Sequence, residues 1–264
     1  MSRLFLVLFF TLALAGTWTG CCTLRRHYPA PTAAQLQTVL SRPARPVQTL
    51  RAKAKVDQWT QKGRIKVRVF MLATAKGQLR FEAVSPFDTA LVTMTSDGTS
   101  FASIDHKQNV FYSGPAKACN IARVFGLALE PRAVARALTG GAPLIPHTRR
   151  RVTWDKCKGA ERLTLSGKAG LTQRIWMRRR KGAWQVLRST VRNAKDKVVV
   201  ELRFEGHRRM KGHWVPRVIR FKQPQRKADL IIRYDKLELD VKIPDSAYHL
   251  PVPSGLPERV LDCP

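Results

Sequence analysis

The side chains in this chain that carry legible chemistry are its cysteines. Five are spread over 264 residues, at positions 21, 22, 119, 157 and 263. None falls in a Cys-x-x-Cys pair, and His207 and His213 sit on an expected strand and turn where they face solvent, so no metal site is expected. Catalytic signatures are missing from the sequence as well: it has no Gly-x-Ser-x-Gly elbow, no His-Glu-x-x-His helix and no phosphate-cradling Gly-rich loop ending in Lys-Ser/Thr. The six histidines are dispersed, with His106 and His147 in expected loops. Acidic residues are scarce and stand opposite basic neighbours, so paired-carboxylate chemistry has no basis. The expectation is a protein that binds rather than catalyses, with no cofactor.

Cys21 belongs to a different chemistry, that of lipid modification after export. Arg3 supplies a positive start, Leu4 to Ala15 is apolar except for Thr11, and Gly16-Thr17-Trp18-Thr19-Gly20 leads into Cys21-Cys22. At about 1.5 Å per helical residue the apolar run reaches roughly 18 Å, short of a ~30 Å hydrocarbon core, which marks a signal peptide over residues 1–20 rather than a permanent span. The junction resembles the bacterial lipobox. Gly20 fits it, Trp18 stands where an aliphatic residue is usual, and Cys21 becomes the lipidated first residue; use of Cys22 instead would put Cys21 at the cleavage site. Export places the remaining cysteines in an oxidising setting. Cys119–Cys157 is the expected bridge of the globular part, with Cys22 and Cys263 near opposite termini; three connectivities stay open.

Charge narrows the partners. Forty-eight Lys and Arg against 18 Asp and Glu give +30, a field that draws anionic partners. Export argues against nucleic acid, and the basic residues run from Arg25 to Arg259 without forming an arm, which leaves an anionic membrane surface or simple solvation. A hydrophobic fraction of 44% describes a folded chain with one sizeable core or two small ones.

The elements that must position any site are mostly strands. Residues 21–48, with Pro29, Pro31, Pro43 and Pro46 and one short helix around Ala33–Leu40, read as a tether. Residues 50–59 fit helix or extended chain. From Gly63 the pattern alternates: Ile65, Val67, Val69 and Met71; then Leu79, Phe81 and Ala83; then Ala90, Val92 and Met94, with a hairpin at Asp97-Gly98. Two short helices follow, Ala118–Gly126 and Pro131–Leu138, the second opened by Pro131 and stopped by Gly140-Gly141. Strands then resume to Leu239, and Pro251, Pro253 and Pro257 mark the end of regular structure, with residues 254–264 as a tail. The fold class is mainly β with short helices (α+β): a curled antiparallel half-barrel of about 11 strands.

This order of elements resembles the LolA/LolB lipoprotein-carrier family over roughly residues 50–253. Lys62-Gly63-Arg64-Ile65-Lys66-Val67 looks like the family's first strand, and Gly77 through Thr89, with Pro86-Phe87 at its turn, resembles a strand, turn and return strand of LolB. Val124-Phe125-Gly126-Leu127, Glu130-Pro131-Arg132-Ala133 and Leu138-Thr139-Gly140-Gly141 resemble lid helices. Trp214 to Ile219, Asp229 to Tyr234 and Val241 to Leu250 look like the closing strands. The resemblance implies an N-terminal helix, a helical lid and an apolar cavity, to which Val67, Val69, Leu79, Phe81, Val92 and Met94 are the candidate lining; a fully packed core gives the same alternation. It also implies a large apolar side chain on a protruding loop, a role that falls to Pro86 and Phe87, the other reading being a staple against the rim.

The implied protein is a monomeric outer-membrane lipoprotein facing the periplasm, taking lipoprotein or lipid cargo, from a LolA-like carrier, and delivering it to the membrane. A lipid or lipoprotein sensor and a structural lipoprotein with a dry core are the alternatives. With Cys21 as sole anchor, the Cys21→Ala chain made without its signal is expected in the soluble fraction, folded. Membrane retention through a high-salt wash contradicts this.

Overall fold

The computed structural model describes residues 24–60, 63–126 and 128–263. The signal segment, Cys21 and Cys22, on which the anchoring expectation falls, lie outside the described residues. Helix α1 (Ala33–Ser41) comes first, followed by β1 (Thr49–Thr60), β2 (Gly63–Thr74), β3 (Leu79–Val84), β4 (Ala90–Ser96), β5 (Ser100–Asp105) and β6 (Val110–Pro115). Two helices, α2 (Ala118–Phe125) and α3 (Pro131–Leu138), interrupt the strands. Then come β7 (Arg149–Asp155), β8 (Ala160–Ser166), β9 (Thr172–Arg180), β10 (Ala183–Arg192), β11 (Val198–Glu205), β12 (Arg208–Met210), β13 (His213–Val215), β14 (Val218–Gln223), β15 (Ala228–Leu239) and β16 (Glu258–Val260).

Among the described residues fourteen strands form one open, curled sheet in the order β16-β6-β5-β4-β3-β2-β1-β15-β14-β11-β10-β9-β8-β7, with β12 and β13 as a separate hairpin. Pairing is antiparallel except for β16, which runs parallel to β6. The expected half-barrel is therefore present. The segment left open as helix or extended chain is β1, one of the longest strands: Leu50, Ala52, Ala54 and Val56 are buried on the concave face while Arg51 and Lys55 face water. Ala54 pairs with Val69, and Ala52 with Met71, so β1 continues the apolar face that β2 begins. The N-terminal helix of the resemblance is α1, whose Thr32 capping box fixes its start.

Two expectations about the termini are corrected. The described part of the expected tether does not hang free. Leu36 and Leu40 of α1 join the main core, and residues 24–32 lie along the concave face of β7–β10, because Arg26 and Tyr28 find partners there. The tail is not the end of regular structure. After β15 the chain crosses the convex face, where Arg80 donates to the carbonyl of Ala247 at 3.1 Å and Tyr248 is buried. It then pairs as β16, and Leu261 N donates to Ser113 O at 2.7 Å. Gly114 has φ +151°, and a Cβ there would stand 2.0 Å from Leu261 O, so only glycine lets the tail lie so close.

The expected Cys119–Cys157 bridge is not formed. Cys119 on α2 bonds to Cys263, because the tail beside β6 delivers Cys263 to the start of α2, whereas Cys157 sits on the β7–β8 turn. Lys117 binds Asp262 at 2.9 Å, and Asn120 donates to Leu261 O at 3.0 Å and to Pro115 O at 2.9 Å, fixing the same junction. The bridge closes a loop of 144 residues, worth about 5 kcal/mol in the chain-entropy model. Non-reducing peptide mapping is expected to recover a Cys119–Cys263 peptide. The Cys119→Ser, Cys263→Ser double variant is expected to melt roughly 10–20 °C lower, since about 1 kcal/mol shifts a domain of this size by some 2–4 °C.

Candidate functional site

The sheet has two rims. The turns after β1, β3, β5, β8, β10 and β14 form one, and those after β2, β4, β7 and β9 form the other. The sequence candidates gather on the concave face of β2–β4 and run toward the first rim. In register across three strands, Ala73 stands beside Leu79 and Ser96, Met71 beside Phe81 and Met94, and Val69 beside Ala83 and Val92. All six lining candidates thus share one face.

They differ in cover. Leu79 and Met94 are 0% exposed, and Val69 and Phe81 are buried. Ile121 of α2 and Val134, Ala135 and Leu138 of α3 belong to the same core, so these four candidates lie in packed surroundings. The helices are pinned at several points. Arg132 donates to Lys76 O at 3.1 Å, Tyr234 Oη donates to Leu138 O at 2.8 Å, and Ala128 N donates to the Gln223 side-chain oxygen at 3.2 Å. Gly77, at φ +96°, lets the β2–β3 turn pass against Arg132.

Val67 and Val92 are half-buried, and Ile65 one step outward on β2 is exposed. On the opposite, outer face of β1, β2 and β15 toward the same rim lies a cleft of about 470 Å³, into which Lys55, Asp57, Lys66, Arg68 and Arg233 turn, with Val56, Val67 and Pro86 completing its lining. Its size falls within the range of small-molecule sites. Its charge is mainly cationic; Asp57 is held by Arg64 at 2.6–2.8 Å, and that guanidinium keeps the Asp57 carboxyl below its ordinary range.

Phe87 projects beside this cleft with 91% of its surface exposed. It is not packed against the rim, so the staple reading is corrected. The turn beneath it is rigid. Ser85 Oγ accepts from Phe87 N at 3.2 Å and Thr89 N at 3.1 Å, and Ser85 N donates to Thr89 O at 2.8 Å. Asp88 adopts φ +63°, is paired with Arg68, and lies beside Pro86, whose carbonyl accepts from Arg68 at 3.2 Å. A ring held this way loses little freedom on entering an apolar phase.

Histidines serve structure: His106 bonds Thr93 Oγ1 at 3.0 Å and His147 bonds Ile145 O at 2.9 Å. Among the described residues no group of His, Cys, Asp or Glu converges as a metal cluster, and no helix is long and apolar enough to cross a membrane. Sequence reasoning missed Val56, because β1 was not recognised as a strand, and missed the cations Lys55, Arg68 and Arg233, whose convergence depends on strand register.

No protein-family model and no curated protein matches this sequence. Among solved structures, a LolA superfamily protein from Nitrosomonas europaea superposes with a TM-score of 0.56 at 10% identity, covering 84% of this chain and 99% of that one. A DUF1329 family protein from Desulfovibrio piger gives 0.55 at 15% identity, covering 82% and 94%. The chain has a LolA-like fold.

The difference in cover has a measurable consequence. Met94→Ala is expected to cost about 2–5 kcal/mol, as for a packed core, and Val67→Ala about 1 kcal/mol, as at the half-open mouth of the concave face. Urea denaturation checks both, and equal losses would show that the mouth is as tightly packed as the core.

Proposed function

We propose that this chain is a LolB-type lipoprotein, held in the outer membrane by lipid on Cys21, that takes acyl chains of lipoproteins or lipids at the open mouth of the concave face beside β2–β4 and delivers them to the membrane. A LolA-like periplasmic carrier is the proposed donor. Binding, not a chemical reaction, is the proposed activity. The observation that carries the proposal is the fully presented Phe87 on a hydrogen-bonded hairpin at the rim where the concave face opens at Ile65, Val67 and Val92, with Lys55, Lys66, Arg68 and Arg233 on the outer face toward the same rim.

The physics is that of partition. Each methylene shielded from water is worth about 0.8 kcal/mol, so an apolar concave face offsets much of the cost of holding an acyl chain outside a bilayer. The cations meet anionic head groups, where each is worth about 1 kcal/mol. Phe87 then enters the acyl boundary, a transfer worth roughly 1.5–3 kcal/mol for a fully buried ring, and opens a path from the concave face to the bilayer. The superfamily name of the Nitrosomonas neighbour and its near-complete coverage support the reading. A structural lipoprotein with a dry core is the second reading, favoured by the 0% exposure of Leu79 and Met94 under the helices.

Phe87→Glu is expected to leave acyl uptake and the melting temperature unchanged while slowing transfer of a fluorescent lipoprotein to acidic liposomes by about 10- to 100-fold, the equivalent of the lost partition energy. Unchanged transfer removes Phe87 from the mechanism. A melting temperature lowered by many degrees would show that the ring supports the fold.

A further inference from the structure

The groove on the concave face of β7–β10 is filled by the chain's own N-terminal segment. Leu24 N donates to Lys156 O at 3.1 Å, and Trp154 Nε1 donates to Leu24 O at 2.9 Å. Arg26 clamps Glu161 through two hydrogen bonds of 2.6 and 3.1 Å, and Glu161 is 0% exposed. The Tyr28 ring stands edge-on to Trp154 and Trp184, with centroids 6.2 and 5.5 Å away, and Arg179 lies over it. Beyond it α1 packs Leu36 and Leu40 into the core, and Gln37 accepts from Arg150 at 2.5 Å.

This docking sets a conflict of distance. Leu24 is fixed at the β7–β8 turn, on the rim opposite Phe87. A strand such as β9, nine residues long, separates the rims by about 30 Å at ~3.3 Å per residue. Cys21 to Leu24 is three residues of chain, a reach of about 10 Å. With the segment docked, a membrane holding Cys21 lies at the wrong rim for Phe87. From Cys21 to the start of β1 at Thr49 is 28 residues, about 90 Å when extended, which is ample.

The groove's chemistry states what it accepts. A buried carboxylate left without its partner costs several kcal/mol, so whatever lies over Glu161 must bring a cation. The resident occupant is an irregular peptide that follows a cysteine of the expected lipidated type and carries Arg26 five residues after it. We propose that this groove, built on Trp154, Glu161 and Trp184, binds the segment following the lipidated cysteine of a cargo lipoprotein, and that such a segment displaces residues 24–41. Displacement lengthens the tether and lets Phe87 reach the anchoring membrane. The inference rests on the proposed function for its biological sense, but the groove itself is testable without it.

The exposed stretch 42–46 is the place to insert a protease site in the otherwise intact chain. After cutting, the body is expected to stay folded and the cut segment to exchange with a labelled synthetic peptide of residues 24–41. The same peptide with Arg26→Glu is expected to bind at least tenfold more weakly. Failure to exchange, unfolding on release, or equal binding of both peptides overturns the proposal, because the segment is then an ordinary part of the core. In a second arm, Gln37→Cys and Arg150→Cys are joined by a non-reducible cross-linker. Lipid uptake is expected to persist while delivery to the anchoring membrane falls at least tenfold relative to the same variant without cross-linker. Undiminished delivery overturns release of the segment and leaves the proposed function standing, whereas a wild-type chain that takes up no lipid strikes the proposed function and leaves the exchange result to judge the groove.

Discussion

One wide sheet with a single apolar face sets the terms for the rest of this molecule. Fourteen strands curl but do not close, so the concave face must be covered by something other than the sheet itself. Two covers meet there. Helices α2 and α3 lie over β2–β4, α1 and the segment before it lie over β7–β10, and between the first cover and the rim the apolar face stays open at Ile65, Val67 and Val92. The same openness leaves edges at β7 and β6. The β6 edge is closed by β16, whose parallel pairing and bridge to α2 tie the sheet edge to the helical cover.

Polar constraints decide where those covers sit. The Arg26–Glu161 pair registers the N-terminal segment, because an unmatched buried Glu161 is costly in any other register. Arg132 and Tyr234 register α3 through the Lys76 and Leu138 carbonyls. Apolar packing alone would tolerate sliding, whereas these contacts have one geometry. The large excess of positive charge is spread along the chain, and toward the Phe87 rim Lys55, Lys66, Arg68 and Arg233 are combined with an exposed ring and the exposed Ile65. That combination distinguishes this rim physically from a merely solvated basic surface.

Much of the fold was legible because strand periodicity is local. Val67, Val69, Leu79, Phe81, Val92 and Met94 were placed on one face by alternation, and the register confirms that they share it. Pro131 and Gly140 marked α3. β1 was ambiguous because its inward positions include Ala52 and Ala54, residues too small to raise the alternation signal. The expected closing strand from Trp214 to Ile219 is split at Pro216, which lacks an N–H for a ladder, into β13 and β14. What stayed illegible was long-range. Proline-bearing residues 24–48 have the composition of a linker, and their docking depends on Glu161, 135 residues from Arg26. Cys263 is chosen over Cys157 because β16 pairs with β6, which three residues of strand do not announce. Phe87 could be numbered from the sequence, but its exposure follows from the Ser85 turn.

The central claim is that the concave face, open beside β2–β4, holds acyl chains. Native mass spectrometry of the Cys21→Ala chain, exported and purified without detergent from a cell envelope, tests it most directly. The account predicts a folded protein carrying a lipid or lipopeptide mass, lost in a Val67→Trp variant that fills the open mouth without disturbing the melt. A protein that leaves the envelope bare, and that acquires no added mass when offered lipid, would contradict it and leave a structural lipoprotein with a dry core.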